Sequence, residues 1–412
     1  MYSTYFKQAI AMLKQNKFIS TITIAGTALA IMMIMVIIVS ESIKNTSIAP
    51  EINRERTMYI KYEIQKSKNS EMWASSAVDY KIYKDYLAGM PAPELTSAIQ
   101  ARIVFVTAEH KKERQETTYR LTDYNFWKIM AFTFIEGKPF TKEDHDSGLK
   151  KAIISESTAY TLFGYEPALG KTIEANFIPY TVTGIVKDVS PVFTYAHADV
   201  YVPYTSHSGF DQSSCTILIL AKDRNDFNTI TEEVREAERK ADTTDPEYNL
   251  TLIGPYDHRT QLINTSAQEP DIKADNRKTV FIFVILLLIP AVNLSGFSMS
   301  RIKKRTEEIG IRKAFGAKRY MILFQVLYEN LITSLIGSAI GLILSYIVVI
   351  WLKDWLLDLE SGDSIPLETF VSFPVFLAVS VILLLLNMLS AGLPAYRASK
   401  IAIVDSINQN NR

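Results

Sequence analysis

The sequence predicts a membrane α-helical protein with four transmembrane helices and one large α+β extracytoplasmic domain. Four apolar runs are each long enough to cross a bilayer. Residues 41–278, between the first two runs, alternate between short strand and helix patterns. They carry 29 basic and 35 acidic side chains, whereas the rest of the chain carries 15 basic and 9 acidic ones. Because basic loops stay in the cytoplasm, we expect both termini inside and residues 41–278 outside.

The first apolar run lacks charge from Ile19 to Val39 and exceeds the apolar length of a signal peptide, so it predicts a retained span. Residues 1–18 contain three lysines and no acid. They predict a cytoplasmic amphipathic helix that either lies on membrane lipid or contacts a cytoplasmic partner. The other predicted segments are the four spans 19–40, 279–300, 321–352 and 371–393, the cytoplasmic loop 301–320, the outer loop 353–370 and the cytoplasmic tail 394–412.

The third span contains Gly337 and Gly341 in a GxxxG pattern. Such a pattern lets two membrane helices approach closely, and it predicts a contact with a second copy of the chain.

The extracytoplasmic domain is predicted to contain two β-α-β units, as halves of one α/β subdomain. A strand-rich lobe, about residues 110–205, is inserted between them. Residues 254–278 are polar and predict a helical stalk that leads to the second span. Cys215 is the only cysteine, so no intrachain disulfide can form and a core thiol is expected. The units combine strands 57–65 and 98–107 with helix 79–87, and strands 215–221 and 248–253 with helix 225–241.

A short basic segment, Arg301 to Arg319, separates the second and third spans and carries eight basic and two acidic residues. Its composition alone predicts a topology anchor on the cytoplasmic side. Ile302, Ile309 and Phe315 follow a helical spacing, which indicates a short amphipathic helix interrupted by two glycines. An exposed, structured cytoplasmic element is typical of a membrane protein that a cytoplasmic protein must bind.

The segment 308–317 reads EIGIRKAFGA and closely resembles the EIGIRRAxGA loop of the MacB/FtsX-like ABC transporter permeases. Residues 394–399, PAYRAS, are similar to the PARRAA motif of that family. The lobe resembles the family's periplasmic domain, in which a porter-like α/β subdomain carries an inserted β-rich lobe. The residues that flank the 308–317 segment also agree with the family pattern, namely Asn293, Leu294, Gln325, Glu329 and Asn330.

The resemblance implies a stand-alone permease subunit in a bacterial inner membrane that is not an enzyme by itself. A separate cytoplasmic ABC ATP-binding subunit would bind ATP and Mg, so this chain needs no cofactor of its own. A second permease copy, identical or a paralogue, would complete a dimer, and ATP hydrolysis would move the periplasmic domains by mechanotransmission. The implied ATPase-coupling residues are Arg305, Glu307, Glu308, Ile309, Gly310, Ile311, Arg312, Lys313, Phe315, Gly316 and Arg319, with Pro394 and Arg397 as the tail motif.

Within this family the domain most resembles the efflux branch, which exports drugs, peptides or other periplasmic substrates. That branch works with a periplasmic adaptor and an outer-membrane channel, which are therefore further expected partners. Lipoprotein release and regulation of cell-wall hydrolases are the alternatives within the family. A membrane-anchored sensor or binding protein is the alternative outside it, and it leaves the 308–317 segment unexplained.

Other chemistry finds little support in the sequence. No catalytic constellation is recognisable, and the zero net charge gives no argument for nucleic acid. His197 and Asp199 have no third ligand at metal spacing, so no metal site is expected and both are interpreted as surface residues. Residues 144–146 are interpreted as a solvated loop. Gly170-Lys171-Thr172 is a turn, because the glycine that a phosphate-binding loop requires is absent at position 165.

Overall fold

The computed structural model describes residues 17–108, 114–207, 209–210, 213–286, 288, 309–311 and 314–356, and isolated positions between 377 and 396. The described chain divides into two compact units. One unit, here called the α+β domain, is Ser42–Asp275. The other, the helical unit, contains the described residues before Ser42 and after Asp275.

The helices differ greatly in length. The helix from Tyr80 continues as one π-helical turn, Tyr83–Leu87, and 3₁₀ turns occur at Arg54–Arg56, Tyr204–Ser206 and Arg224–Asp226. In chain order the helices are α1 Lys17–Asn45, α2 Tyr80–Ile82, α3 Phe126–Ile129, α4 Lys142–Asp146, α5 Glu156–Phe163, α6 Phe227–Thr244, α7 His258–Ile263, α8 272–286 and α9 Arg319–Leu356.

All described strands join one sheet. They are β1 Thr57–Ile60, β2 Tyr62–Ser67, β3 Trp73–Asp79, β4 Leu95–Ala108, β5 Gln115–Thr122, β6 Phe134–Gly137, β7 Lys151–Ser155, β8 Thr172–Ala175, β9 Ile178–Val186, β10 Val200–Pro203, β11 Ser214–Leu220, β12 Tyr248–Ile253 and β13 Tyr256–Asp257.

The main path of the sheet runs β12-β2-β3-β11-β4-β5-β10-β7-β9-β6. The strand β1 pairs with β11 and β13, and β8 pairs with β4 and β9. The long strand β4 pairs with β11 through its first residues, with β5 through its middle and with β8 through its end. The predicted lobe is therefore continuous with the α/β part of the sheet through this strand. Most pairs are antiparallel, and β5–β10 and β7–β9 are parallel.

Both faces of the sheet are covered around β1 and β11. Met58 and Ile60 belong to the core cluster that includes α6, whereas Tyr59 belongs to a second cluster with Phe126 and Tyr201. Successive side chains on a strand point to opposite faces, so this alternation places one core on each side. A strand buried on both faces explains the unbroken apolar run of β11.

Three local predictions are wrong. The expected strand 57–65 is divided at Lys61 into β1 and β2. The stalk 254–278 is not one helix, because helix α7 ends at Ile263 and α8 begins only after Pro270. The segment 144–146 belongs to helix α4, which a capping box between Thr141 and Asp144 stabilises.

Two side chains interpreted as solvent-facing have partners in the fold. Within α4, His145 is buried rather than solvated. Asp199 accepts a hydrogen bond of 2.7 Å from the backbone N–H of Thr118, and so joins two segments of the lobe. The part of the chain that the structure describes contains no cluster of His, Cys, Asp and Glu able to hold a metal ion.

Two described stretches are long and apolar enough to cross a membrane by length and composition, Ser20–Asn45 and Tyr320–Leu352. They correspond to the first and third predicted spans. Most of the second span and the fourth span lie outside the described residues. Four spans therefore remain a prediction.

The thiol of Cys215 provides a test of the domain core. Its side chain is 2% exposed, and burial raises its pKa well above the ordinary value. The reactive thiolate is therefore scarce and inaccessible. We expect a maleimide to label native Cys215 at least about 100-fold more slowly than the denatured chain.

The control is Ser70→Cys, at an exposed position of the β2–β3 hairpin, which should react at once. Rapid maleimide labelling of the native wild-type chain, monitored by mass spectrometry, would contradict the buried position of Cys215.

Candidate functional site

The cytoplasmic segment predicted to couple to an ATPase is anchored on α9 by one apolar side chain. Ile309 is 8% exposed and packs with Ile322 and Val326, which lie one turn apart near the start of α9. Residues 309–311 form a helical turn, and Gly310 is buried within it.

The next apolar side chains of this segment point to solvent. Ile311 is 52% exposed and Phe315 is 89% exposed. Gly316 follows with φ of 93°, a conformation that glycine adopts without strain. Its turn ends the short helix just before α9 begins at Arg319. The segment therefore buries one apolar residue on its own chain and presents two others outward.

The structure does not describe every predicted site residue. The side chain of Arg319 is not described, although its backbone starts α9. Arg305, Glu307, Glu308, Arg312, Lys313, Pro394 and Arg397 lie outside the described residues, and their coupling roles stay predictions.

Polar side chains line α9 where it follows the coupling segment. Gln325 Nε2 donates a hydrogen bond of 3.2 Å to Glu329 Oε1, and Thr333 Oγ1 donates one of 2.8 Å to the Glu329 carbonyl. All three side chains are buried. These three polar side chains thus find hydrogen-bond partners within α9 itself, which lowers the cost of placing them in a low-dielectric environment.

Gly337 and Gly341 pack against another helix of the same chain, and their predicted contact with a second copy stays a prediction. A β-carbon at Gly341 would lie 2.6 Å from the carbonyl oxygen of Ala28, and one at Gly337 would lie 2.8 Å from Cβ of Thr27. Both neighbours are on α1 of the same chain. The GxxxG face is therefore filled within the chain, and it permits close packing of α9 on α1.

One pair of buried charges in the α+β domain is not predicted by the sequence. Glu51 and Arg54 are each 2% exposed, and Arg54 Nε lies 2.7 Å from Glu51 Oε2. The available signal was an acid and a base three residues apart just after the first span. That spacing also occurs on solvated helices, so the sequence alone does not mark the pair as buried.

Comparisons with known proteins match two parts of the chain. Residues 20–237 match the family model described as the MacB-like periplasmic core domain. Residues 280–403 match the model described as the FtsX-like permease C-terminal domain. The first match includes most of α1 together with most of the α+β domain, and the second begins within α8.

Two relatives illustrate the match. The chain is 25% identical over 328 residues to the macrolide export ATP-binding/permease protein MacB of Wolinella succinogenes, covering 77% of this chain and 49% of that protein. It is 21% identical over 333 residues to the uncharacterised ABC transporter permease YknZ of Bacillus subtilis (strain 168), covering 77% and 79%. The chain thus spans about half the length of the MacB relatives that it matches.

Among solved structures, the extracellular domain of the ABC-type transporter YknZ from Gram-positive bacteria is similar, with a TM-score of 0.37 and 18% identity. The similarity covers 48% of this chain and 100% of that domain.

The contact of α9 with α1 predicts opposite effects of two glycine substitutions. Gly341→Ala forces a β-carbon against the backbone of α1, so we expect the free energy of unfolding to fall by about 1–3 kcal/mol. Gly26→Ala is the matched control, because a β-carbon there meets nothing within 4 Å. The higher helix propensity of alanine should leave that variant equal to or more stable than wild type.

Thermal unfolding of the full chain in detergent measures both variants. An unfolding temperature of Gly341→Ala at or above that of wild type would contradict the contact.

Proposed function

This chain belongs to the MacB/FtsX-like ABC transporter permease family, and from that premise we propose that it couples ATP hydrolysis by a separate cytoplasmic ATPase to movement of its extracytoplasmic domain. Transport is the family's activity. The coupling route, the partner and the substrate are the proposal.

The exposure of Phe315 beside the buried Ile309 is the observation that carries the proposal. An isolated, almost fully exposed phenylalanine is apolar surface that a partner can bury, and full burial of such a side chain contributes about 1.5–3 kcal/mol to binding. Because Ile309 fixes the same segment to Ile322 and Val326, a partner that holds Phe315 also pulls on the start of α9.

A separate ATPase subunit fits the relatives. The Bacillus subtilis relative, of which this chain covers 79%, is named a permease. The Wolinella relative, of which this chain covers 49%, is named an ATP-binding/permease protein. We therefore assign ATP and Mg to the partner, and place the coupling segment 301–319 on its surface.

The proposed output is mechanical. Gly337 and Gly341 of α9 pack against Thr27 and Ala28 of α1, and such close packing lets the two helices move as a pair. Displacement of α9 would then reach α1, which continues directly into the α+β domain. A second permease copy, identical or a paralogue, would complete the assembly, with both termini in the cytoplasm.

Efflux is the transport role that we propose. The Wolinella relative is named for macrolide export, and the outer domain here matches the MacB-like core domain rather than a shorter module. A periplasmic adaptor and an outer-membrane channel would then complete the export route.

Substitution of Phe315 tests the coupling. In reconstituted membranes, Phe315→Ser should weaken binding of the ATPase about 10-fold or more, because the largest exposed apolar group of the segment is lost. The partner is first identified by mass spectrometry after mild-detergent purification of the tagged chain from its native membrane. Stimulation of its ATP hydrolysis by the permease is then measured.

Phe177→Ala is the control, since Phe177 is also exposed, at 73%, but lies in the α+β domain. Unchanged binding and stimulation in Phe315→Ser would refute the assigned contact. Absence of any ABC-type ATPase from the purified wild-type material would refute the proposed function itself.

A further inference from the structure

The end of α1, a loop and α7 meet at one buried polar cluster within the α+β domain. Residues 43–46 are the last residues of α1 and the residue that follows it, and α7 precedes the segment that leads to α8. The loop 190–197, which precedes β10, lies between them. Charged and aromatic side chains join these three segments, and the relevant ones all belong to the α+β domain.

Arg54 contacts two of these segments at once. Its Nη1 donates hydrogen bonds to the carbonyls of Ile43, at 2.8 Å, and Thr46, at 3.0 Å. The last carbonyls of a helix have no partner within the helix, and the negative end of its dipole favours a cation. Nη2 donates a hydrogen bond of 3.4 Å to the carbonyl of Val192 in the loop. The guanidinium also lies 5.0 Å from the centroid of the Phe193 ring.

Glu51 completes the attachment of the loop. Its Oε2 accepts the hydrogen bond from Arg54 Nε, and its Oε1 accepts the backbone N–H groups of Tyr195 and Ala196, at 2.9 and 3.0 Å. A second buried arginine holds the same loop, because Arg120 Nη2 donates hydrogen bonds to the carbonyls of Thr194 and His197. The loop is therefore held by ionic groups rather than by a regular strand.

Helix α7 is attached to the same point. His258 Nε2 donates a hydrogen bond of 2.8 Å to the carbonyl of Lys44, and its Nδ1 accepts one of 3.1 Å from the Tyr59 hydroxyl. Burial lowers the pKa of His258, in keeping with a neutral ring that donates through one nitrogen and accepts through the other. Tyr195 stacks on Tyr59 at 4.7 Å and donates a hydrogen bond to Gln261 Oε1 in α7.

The arrangement is stable only when it is complete. Removing charges from water is costly, and a buried charge that loses its partner is strongly destabilising. Each part of the cluster satisfies another: the helix carbonyls need Arg54, Arg54 needs Glu51, and Glu51 holds the loop. Partial opening would leave a buried ion or carbonyl unsatisfied, which favours movement of the three segments together.

We propose that the Glu51–Arg54 pair is a joint that fixes the end of α1, the loop 190–197 and α7 into one rigid body at the base of the α+β domain. Because these segments move together, a displacement of α1 also moves the loop 190–197 and, through the loop, β10 in the lobe. The use of the joint in transport rests on the proposed function, whereas its rigidity is a property of this chain alone.

Hydrogen exchange on the full-length chain in detergent, read by mass spectrometry without any ATPase, tests the joint. Arg54→Met removes the charge and the planar array of N–H donors, whereas Arg54→Lys keeps the charge but loses that planar array. In both variants we expect amides of 43–46, 192–197 and 258–263 to exchange at least about 10-fold faster together, although Arg54 makes no hydrogen bond to α7 among the described residues and acts on His258 only through its charge. Peptides from β7 and β9 should keep their wild-type rates.

Arg224→Met is the matched control, because Arg224 forms an exposed pair with Asp257 at 3.8 Å, and it should exchange like wild type. Acceleration confined to residues near Arg54, with α7 unchanged, would overturn the joint. Equal acceleration in β7 and β9 would also overturn it, since Arg54 would then only support the general stability of the domain. Because no ATPase is present, neither outcome depends on the proposed partner, whose absence the purification experiment detects separately.

Discussion

The C-terminal end of α1 exposes carbonyl groups that the helix itself cannot satisfy, and the way they are satisfied organises the adjoining part of the domain. Arg54 and His258 both donate to this end, one from the segment just after the helix and one from about two hundred residues further on. Arg54 requires a buried carboxylate, Glu51 supplies it, and the other oxygen of Glu51 holds the loop before β10. One constraint at a helix end thus determines the positions of three segments distant in sequence.

The short segment before α9 has one buried and one exposed apolar side chain. Ile309 packs on α9, and Phe315 is exposed, where we propose that a partner binds. Between the two ends, α9 and α1 pack closely because Gly337 and Gly341 lack side chains. In the proposed function, movement passes from the exposed Phe315 through the close helix pair to the buried Glu51–Arg54 joint. In this proposal, the ATPase partner expected for the family provides the energy, and this chain transmits the movement.

Sequence patterns predicted the elements that depend on local composition. The apolar runs of α1 and α9, the amphipathic helix α6 and the apolar strand β11 were readable because burial of one face or of both imposes a period. Strand β3 was missed because its first residues, Trp73 to Ser76, are exposed and mostly small, so no alternation marks them. The coupling segment was predicted from its motif, and Ile309 and Phe315 lie in the predicted segment with opposite exposure. The GxxxG pattern predicted a close contact but not its partner, because nothing local distinguishes a helix of the same chain from one of a second copy. The Glu51–Arg54 pair depends on contacts 138 to 145 residues away, and no local pattern encodes them.

The most direct test of the account is hydrogen exchange in the loop 190–197 of the wild-type chain, reconstituted in lipid nanodiscs with its ATPase. The rates with ATP and Mg are compared with those in ADP and without nucleotide. A nucleotide-dependent change in this loop and in residues 43–46 is the expected result. Identical exchange in all three states, while ATP is being hydrolysed, would contradict transmission from the cytoplasmic segment to the outer domain.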